Sequence, residues 1–145
     1  MENSFENTKK VVESVLTEKR KLDVIATDVQ DFEGARKLAT KYWALISNLD
    51  ECLLDIGNIC RTVNKECKLL YAKLISKAGG SEASKKREAE NSEEYITKID
   101  HLERYRLYKA YVTTLRDDIY AGHNLMKATY KNEVSVYLSS PRAEA

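Results

Sequence analysis

The sequence predicts an all-α protein built on a long antiparallel helical hairpin, preceded by a shorter N-terminal helix. Three observations point there. Helix breakers are scarce: 145 residues contain one Pro and five Gly, and the Pro, Pro141, stands in the tail. Apolar residues recur at helical intervals over long stretches. A glycine pair, Gly79-Gly80, divides the two longest of these stretches. With 43% hydrophobic residues beside 32% charged ones, the chain holds too much apolar material to stay a solvated polymer, so it folds, alone or with copies of itself.

The first helix is expected over about 4–26, where Phe5, Val11, Val12, Val15, Leu16, Leu22 and Ile25 fall at spacings that line one side of a helix. Thr27, Asp28 and Asp31 are capping side chains, and Gly34 is a poor residue for a helix interior, so a break belongs between 27 and 34. The second helix, about 33–78, carries the clearest pattern. Leu38, Tyr42, Leu45, Leu49, Cys52, Ile56, Ile59 and Val63 alternate spacings of four and three, a heptad seam. A further four to Cys67, continued by Leu70 and Leu74, is a stutter that relaxes the supercoil. At 1.5 Å per residue this helix is roughly 70 Å long.

Gly79-Gly80 supplies a left-handed stop. Residues 81–91 contain no large apolar side chain and predict a solvated turn or frayed helix. Asn91 with Glu94 reads as a capping box opening a third helix, about 92–138. Its apolar positions include Tyr95, Ile99, Leu102, Tyr105, Tyr108, Val112, Leu115, Ile119 and Met126, with Gly122 leaving room for a neighbouring backbone. Helices of matched length joined by a short connection are antiparallel neighbours. The expected organisation is one domain over 1–138 and a disordered tail over 139–145.

Charge is unevenly divided. From Leu22 to Cys60 three basic residues meet seven acidic ones, whereas from Arg61 to Glu88 eight basic residues meet three acidic ones. The hairpin's tip is therefore basic and suited to an anion. The second helix also offers more apolar surface than one partner covers, because Trp43, Ile46, Leu53, Leu54 and Cys60 lie off the seam. Homo-oligomerisation follows as an expectation, with an interface at Leu38, Tyr42, Trp43, Leu45, Ile46, Leu49, Leu53 and Ile56.

Three cysteines, Cys52, Cys60 and Cys67, sit in apolar helical positions and read as reduced thiols of a cytosolic compartment. The acidic start of the chain lacks the basic region of a secretory signal, and no apolar run reaches membrane-spanning length, so a cytoplasmic location without membrane contact is expected. Cys60 and Cys67 are two helical turns apart, too far for one zinc, and neither His101 nor His123 has a ligating partner at a suitable interval. His101 with Asp100 and Glu103 is ordinary surface composition, and no Gly-rich phosphate loop or Cys-His nucleophile pattern occurs. A non-enzymatic role without a cofactor or metal is expected.

The run Arg104-Tyr105-Arg106-Leu107-Tyr108-Lys109-Ala110-Tyr111 interleaves cations with aromatic rings, the combination that suits single-stranded nucleic acid. Tyr105 and Tyr108 also read as seam residues, whereas Tyr111 and Tyr120 lie off it.

The order of several short motifs resembles the UvsY-type recombination mediators of tailed phages. Asp23-Val24-Ile25 and Thr27-Asp28-Val29 are followed by Lys41-Tyr42-Trp43 early in a long helix that ends in a Leu-rich basic stretch and a glycine turn, covering about 22–127. The family's Leu-Lys-Ala-Arg-Leu contact motif has Leu70-Tyr71-Ala72-Lys73-Leu74 in its place, with Lys73 matching in charge and Tyr71 standing for the first basic residue. The resemblance implies a homo-oligomeric protein that binds single-stranded DNA and helps load a RecA-like recombinase onto strands coated by single-strand-binding protein, in the host cell cytoplasm. On that reading Lys65, Lys68, Lys73 and Lys77 contact phosphates with Arg61 at the edge, and Lys85, Lys86 and Arg87 clamp the strand. The alternative is a helical interaction or scaffold protein that binds only proteins.

Overall fold

The computed structural model describes residues 2–29 and 31–138, the side chains of 132–138 excepted; the tail expected at 139–145 lies outside the described residues. The secondary structure is helical throughout: α1 Glu2–Ala26, α2 Phe32–Lys77, α3 Glu82–Glu90 and α4 Glu93–Leu138.

Local chemistry sets the boundaries. Asp31, in extended conformation, accepts the Gly34 N–H on its carboxylate at 3.0 Å, and its carbonyl accepts from Ala35, which opens α2. The glycine pair does not close α2 with a left-handed cap. Ala78 caps it in extended conformation, its N–H reaching the Leu74 and Ile75 carbonyls, and Gly80 alone takes a left-handed φ of 99°. That turn delivers Ser81 to cap α3, its hydroxyl accepting the Ser84 N–H at 3.3 Å.

Residues 82–90 thus form a capped helix where a solvated turn or frayed helix was expected. Glu82 in its first turn and Arg87 in its last complement the helix dipole, and Ala89 buries its methyl group. Asn91 closes α3, its N–H donating to the Arg87 and Ala89 carbonyls, and so does not open α4; the Ser92 carbonyl accepts the first α4 bond, from Ile96.

Helices α2 and α4 run antiparallel, as their cross-contacts show. Glu66 meets Lys98 at 3.2 Å, Asp50 meets Arg116 at 2.5 Å, and the Ala39 carbonyl meets His123 at 2.9 Å. The Phe32 ring stacks on Tyr130 with centroids 4.3 Å apart. Every seam residue from Leu38 to Cys67 is buried, facing Leu102, Val112, Leu115, Ile119 and Met126 of α4. Gly122 admits a side chain rather than a backbone: a Cβ there would stand 3.3 Å from the Tyr42 ring.

Helix α1 lies antiparallel along α2. Its C-terminal end is held where Tyr42 meets Asp23, and its N-terminal Phe5 packs with Ile59 and Val63 of α2 and edge-on to Tyr105 and Tyr108 of α4. Val12, Val15 and Leu22 complete that face. α1 stops short of the tip, which is why Leu70, Leu74 and Ile75 remain half-buried.

Candidate nucleic-acid interface

Two parallel furrows run between α2 and α4. α1 fills one; the other is open, and its walls follow from helical periodicity. On α2, Trp43, Leu54, Arg61, Lys65 and Lys68 fall within roughly 40° of one line on the outer side of the helix, and of these Leu54, Arg61 and Trp43 reach the edge of the furrow. On α4, Lys98, Lys109, Arg116, Tyr120 and Lys127 form a matching line.

Toward the tip the open furrow is a groove of about 450 Å³. Its floor is Leu53, Gly57 and Cys60, with the exposed Leu54 beside Arg61 at the α2 edge, and its cations are Arg61, Arg106 and Lys109. Among the described residues no Asp or Glu lines it. Arg106 pairs with Glu103 at 3.1 Å, an exposed contact within one helix turn that a ligand readily displaces, and Arg61 donates to the Asn58 side chain. Lys109 has no carboxylate partner among the described residues. Burial pushes the Cys60 thiol up, while Lys109 and Arg106 pull it down. The thiol stays protonated beneath these cations, so the groove keeps its positive charge.

Midway, Arg116 Nε donates to Asp50 at 2.5 Å across the furrow, and that bond raises the guanidinium further above its ordinary range. Beyond it, toward the α2 N-terminus, a second opening of about 530 Å³ is lined by Arg36, Thr40, Trp43, His123, Lys127 and Tyr130 among others. Among the described residues no carboxylate lines this opening either.

The structure sorts the sequence-predicted cations. Arg61, Lys65 and Lys68 share the outer line of α2 and are exposed. Lys73 and Lys77, also exposed, are turned roughly 110–150° from that line and do not continue it. Lys85, Lys86 and Arg87 lie in α3 rather than in a loose turn. Consecutive helical residues point about 100° apart, so these three do not converge on one strand. Arg106 and Lys109 join Arg61 although one is on α2 and the others on α4; the sequence signal for them was the cation–tyrosine run.

Within that run Tyr105 and Tyr108 are half-buried against Phe5, and burial raises both phenols, Tyr108 to about 12. Tyr111 and Tyr120 are exposed.

The expected subunit interface requires correction. Leu38, Tyr42, Leu45, Ile46, Leu49 and Ile56 are buried in the chain's own core, Leu53 is half-buried, and only Trp43 of that set is exposed. A heptad seam satisfied by α1 and α4 is not free to join copies. Other apolar residues are left outside: Val11, Val24 and Ile25 on α1, Leu54 and Leu69 on α2, and Ile96, Leu107 and Leu125 on α4, the last three separated by close to whole numbers of turns.

No helix among the described residues is long and apolar enough to cross a membrane, and no group of three or more His, Cys, Asp or Glu among them is placed to hold a metal ion. No protein-family model, no curated protein and no solved structure matches the chain.

Proposed function

We propose that this chain is a non-enzymatic single-stranded-DNA-binding protein of the recombination-mediator type. The observation that carries the reading is the open α2–α4 groove, where Arg61, Arg106 and Lys109 stand over an apolar floor that no described carboxylate lines. Cations brought to one groove from two helices neutralise phosphates, and the apolar floor accepts the faces of bases. Lys65 and Lys68 extend the track toward the tip. Assistance to a RecA-like recombinase on strands coated by single-strand-binding protein rests on the motif resemblance and belongs to the same proposal.

Self-association is part of this reading, through the outer face of α4 around Leu107 and Leu125. Copies joined there present several grooves to one strand, and linked weak sites reinforce one another.

The test is fluorescence anisotropy of a labelled single-stranded oligonucleotide at low and physiological salt. Substituting Arg61, Arg106 and Lys109 by Ala is expected to weaken binding and to flatten the dependence of log K on log salt by roughly 0.7 per lost phosphate contact. The pair Lys73→Ala and Lys77→Ala is expected to matter less. Absence of binding at low salt overturns the proposal and leaves a protein-only scaffold.

A further inference from the structure

The chain has one tryptophan, and it is left half in solvent: Trp43 is 51% exposed, although this side chain offers more apolar surface to bury than any other. Its surroundings are ordered. The His123 ring lies 5.2 Å from it, centroid to centroid. His123 Nδ1 is 2.9 Å from the Ala39 carbonyl, and since a carbonyl only accepts, Nδ1 carries the proton and the ring is fixed against α2. Tyr130, stacked on Phe32 at 4.3 Å, lines the same opening. Lys127 lines the opening with them, since 123, 127 and 130 share one face of α4. It has no carboxylate partner among the described residues. Arg36, at the rim, holds only a 3.9 Å contact to Glu33 within its own helix turn.

Aromatic walls with two cations and no lining carboxylate complement a planar ring attached to an anion. Trp43 also lies on the same line of α2 as Arg61, 18 residues or about five turns away. The opening lies about 27 Å along α2 from the groove assigned to phosphates, and the Arg116–Asp50 pair crosses the furrow between the two. We propose that Trp43, His123 and Tyr130 form a stacking site for one nucleobase of a single strand, with Lys127 and Arg36 on the flanking phosphates. The site rests on the reading of the groove as a nucleic-acid interface and adds to it a second anchor at the opposite end. Stacking uses the face that every base presents, so the site takes any base and lacks sequence preference.

The single tryptophan makes the test direct. The full chain is titrated with oligothymidylate and with an abasic deoxyribose-phosphate oligomer of the same length, following both anisotropy of the oligomer and emission of Trp43. Oligothymidylate is expected to quench the emission and the abasic oligomer to bind without quenching. Trp43→Ala, at an exposed position that the fold tolerates, is expected to weaken oligothymidylate about tenfold and the abasic oligomer far less. Lys127→Ala should weaken both. Binding of oligothymidylate with unchanged Trp43 emission overturns the stacking site and leaves the groove standing, as does equal quenching by both oligomers. Absence of any anisotropy change overturns both readings together.

Discussion

The Tyr42 hydroxyl donates a 2.7 Å hydrogen bond to Asp23, and Lys19 donates to the other oxygen of the same carboxylate at 2.6 Å. Two sequence motifs, one ending α1 and one early in α2, are thereby a single contact. Desolvation first, then the bond to Asp23 and its charge, push the Tyr42 phenol well above its ordinary range. The site is a clasp that fixes α1 against the hairpin, and none of Tyr42, Asp23 and Lys19 lines the open groove. Tyr42→Phe should keep the packing and lose the bond, at a cost of about 1–2 kcal/mol because the half-exposed carboxylate recovers water and keeps Lys19. Urea denaturation checks this, and groove binding of an oligonucleotide should be unchanged.

Gly122 and Gly57 should respond oppositely to alanine. Both are helical, where Ala is favoured by about 0.5–1 kcal/mol. At Gly57 the nearest atom to a new Cβ is the flexible Lys109 ammonium, 3.7 Å away, so Gly57→Ala should stabilise by about that amount. At Gly122 three atoms of the Tyr42 ring stand at 3.3–3.5 Å, and that ring is buried and tied to Asp23. Gly122→Ala should therefore destabilise despite its better propensity. Thermal unfolding of the two variants is the check, and equal shifts in the same direction would refute the packing argument.

The alkaline limit of stability follows from seven groups. Burial raises the thiols of Cys52, Cys60 and Cys67 and the phenols of Tyr42, Tyr95, Tyr105 and Tyr108, the last to about 12. A raised pKa means the folded chain holds the proton more tightly than the unfolded one. Each group's contribution is complete below its unfolded pKa and is lost as pH rises through its folded value. Stability should decline from about pH 8.5, where unfolded thiols ionise, and more steeply from about pH 10, where unfolded phenols do. Tyr108→Phe keeps the ring against Phe5 and should flatten the slope between about pH 10 and 12. A urea midpoint constant from pH 8 to 11 would contradict this.

The helical class and the heptad seam were legible because both rest on period alone: Leu38 to Cys67 are buried wherever the pattern places them. What covers the seam was not legible. A stripe of Leu and Ile reads alike whether its partner is α1, α4 or another copy, which is why core residues such as Leu49 were expected at a subunit interface. The groove was half legible. Arg61 stood out as a charge, but its neighbours Arg106 and Lys109 come from a helix more than forty residues away, and only the antiparallel register brings them beside it. α3 was left open between a solvated turn and a frayed helix because a capped helix of small and charged residues has no apolar period to detect.

The burial pattern decides which substitutions test self-association. Leu49 is 0% exposed, so Leu49→Asp places a charge in the core and should cost more than about 4 kcal/mol, a large part of a small domain's total stability. Loss of DNA binding in that variant would report unfolding. Leu107 and Leu125 are 69% and 62% exposed, 18 residues apart on one line of α4, and touch nothing in the core. Leu107→Glu with Leu125→Glu should leave the helical circular dichroism and unfolding midpoint within about 0.5 kcal/mol of the parent. The double variant should sediment as a smaller species than the parent, and it should bind an oligonucleotide more weakly though every groove cation remains. Unchanged sedimentation would move the interface off this face of α4. Lower mass with undiminished binding would instead separate assembly from DNA affinity, because a single groove would then suffice to hold the strand.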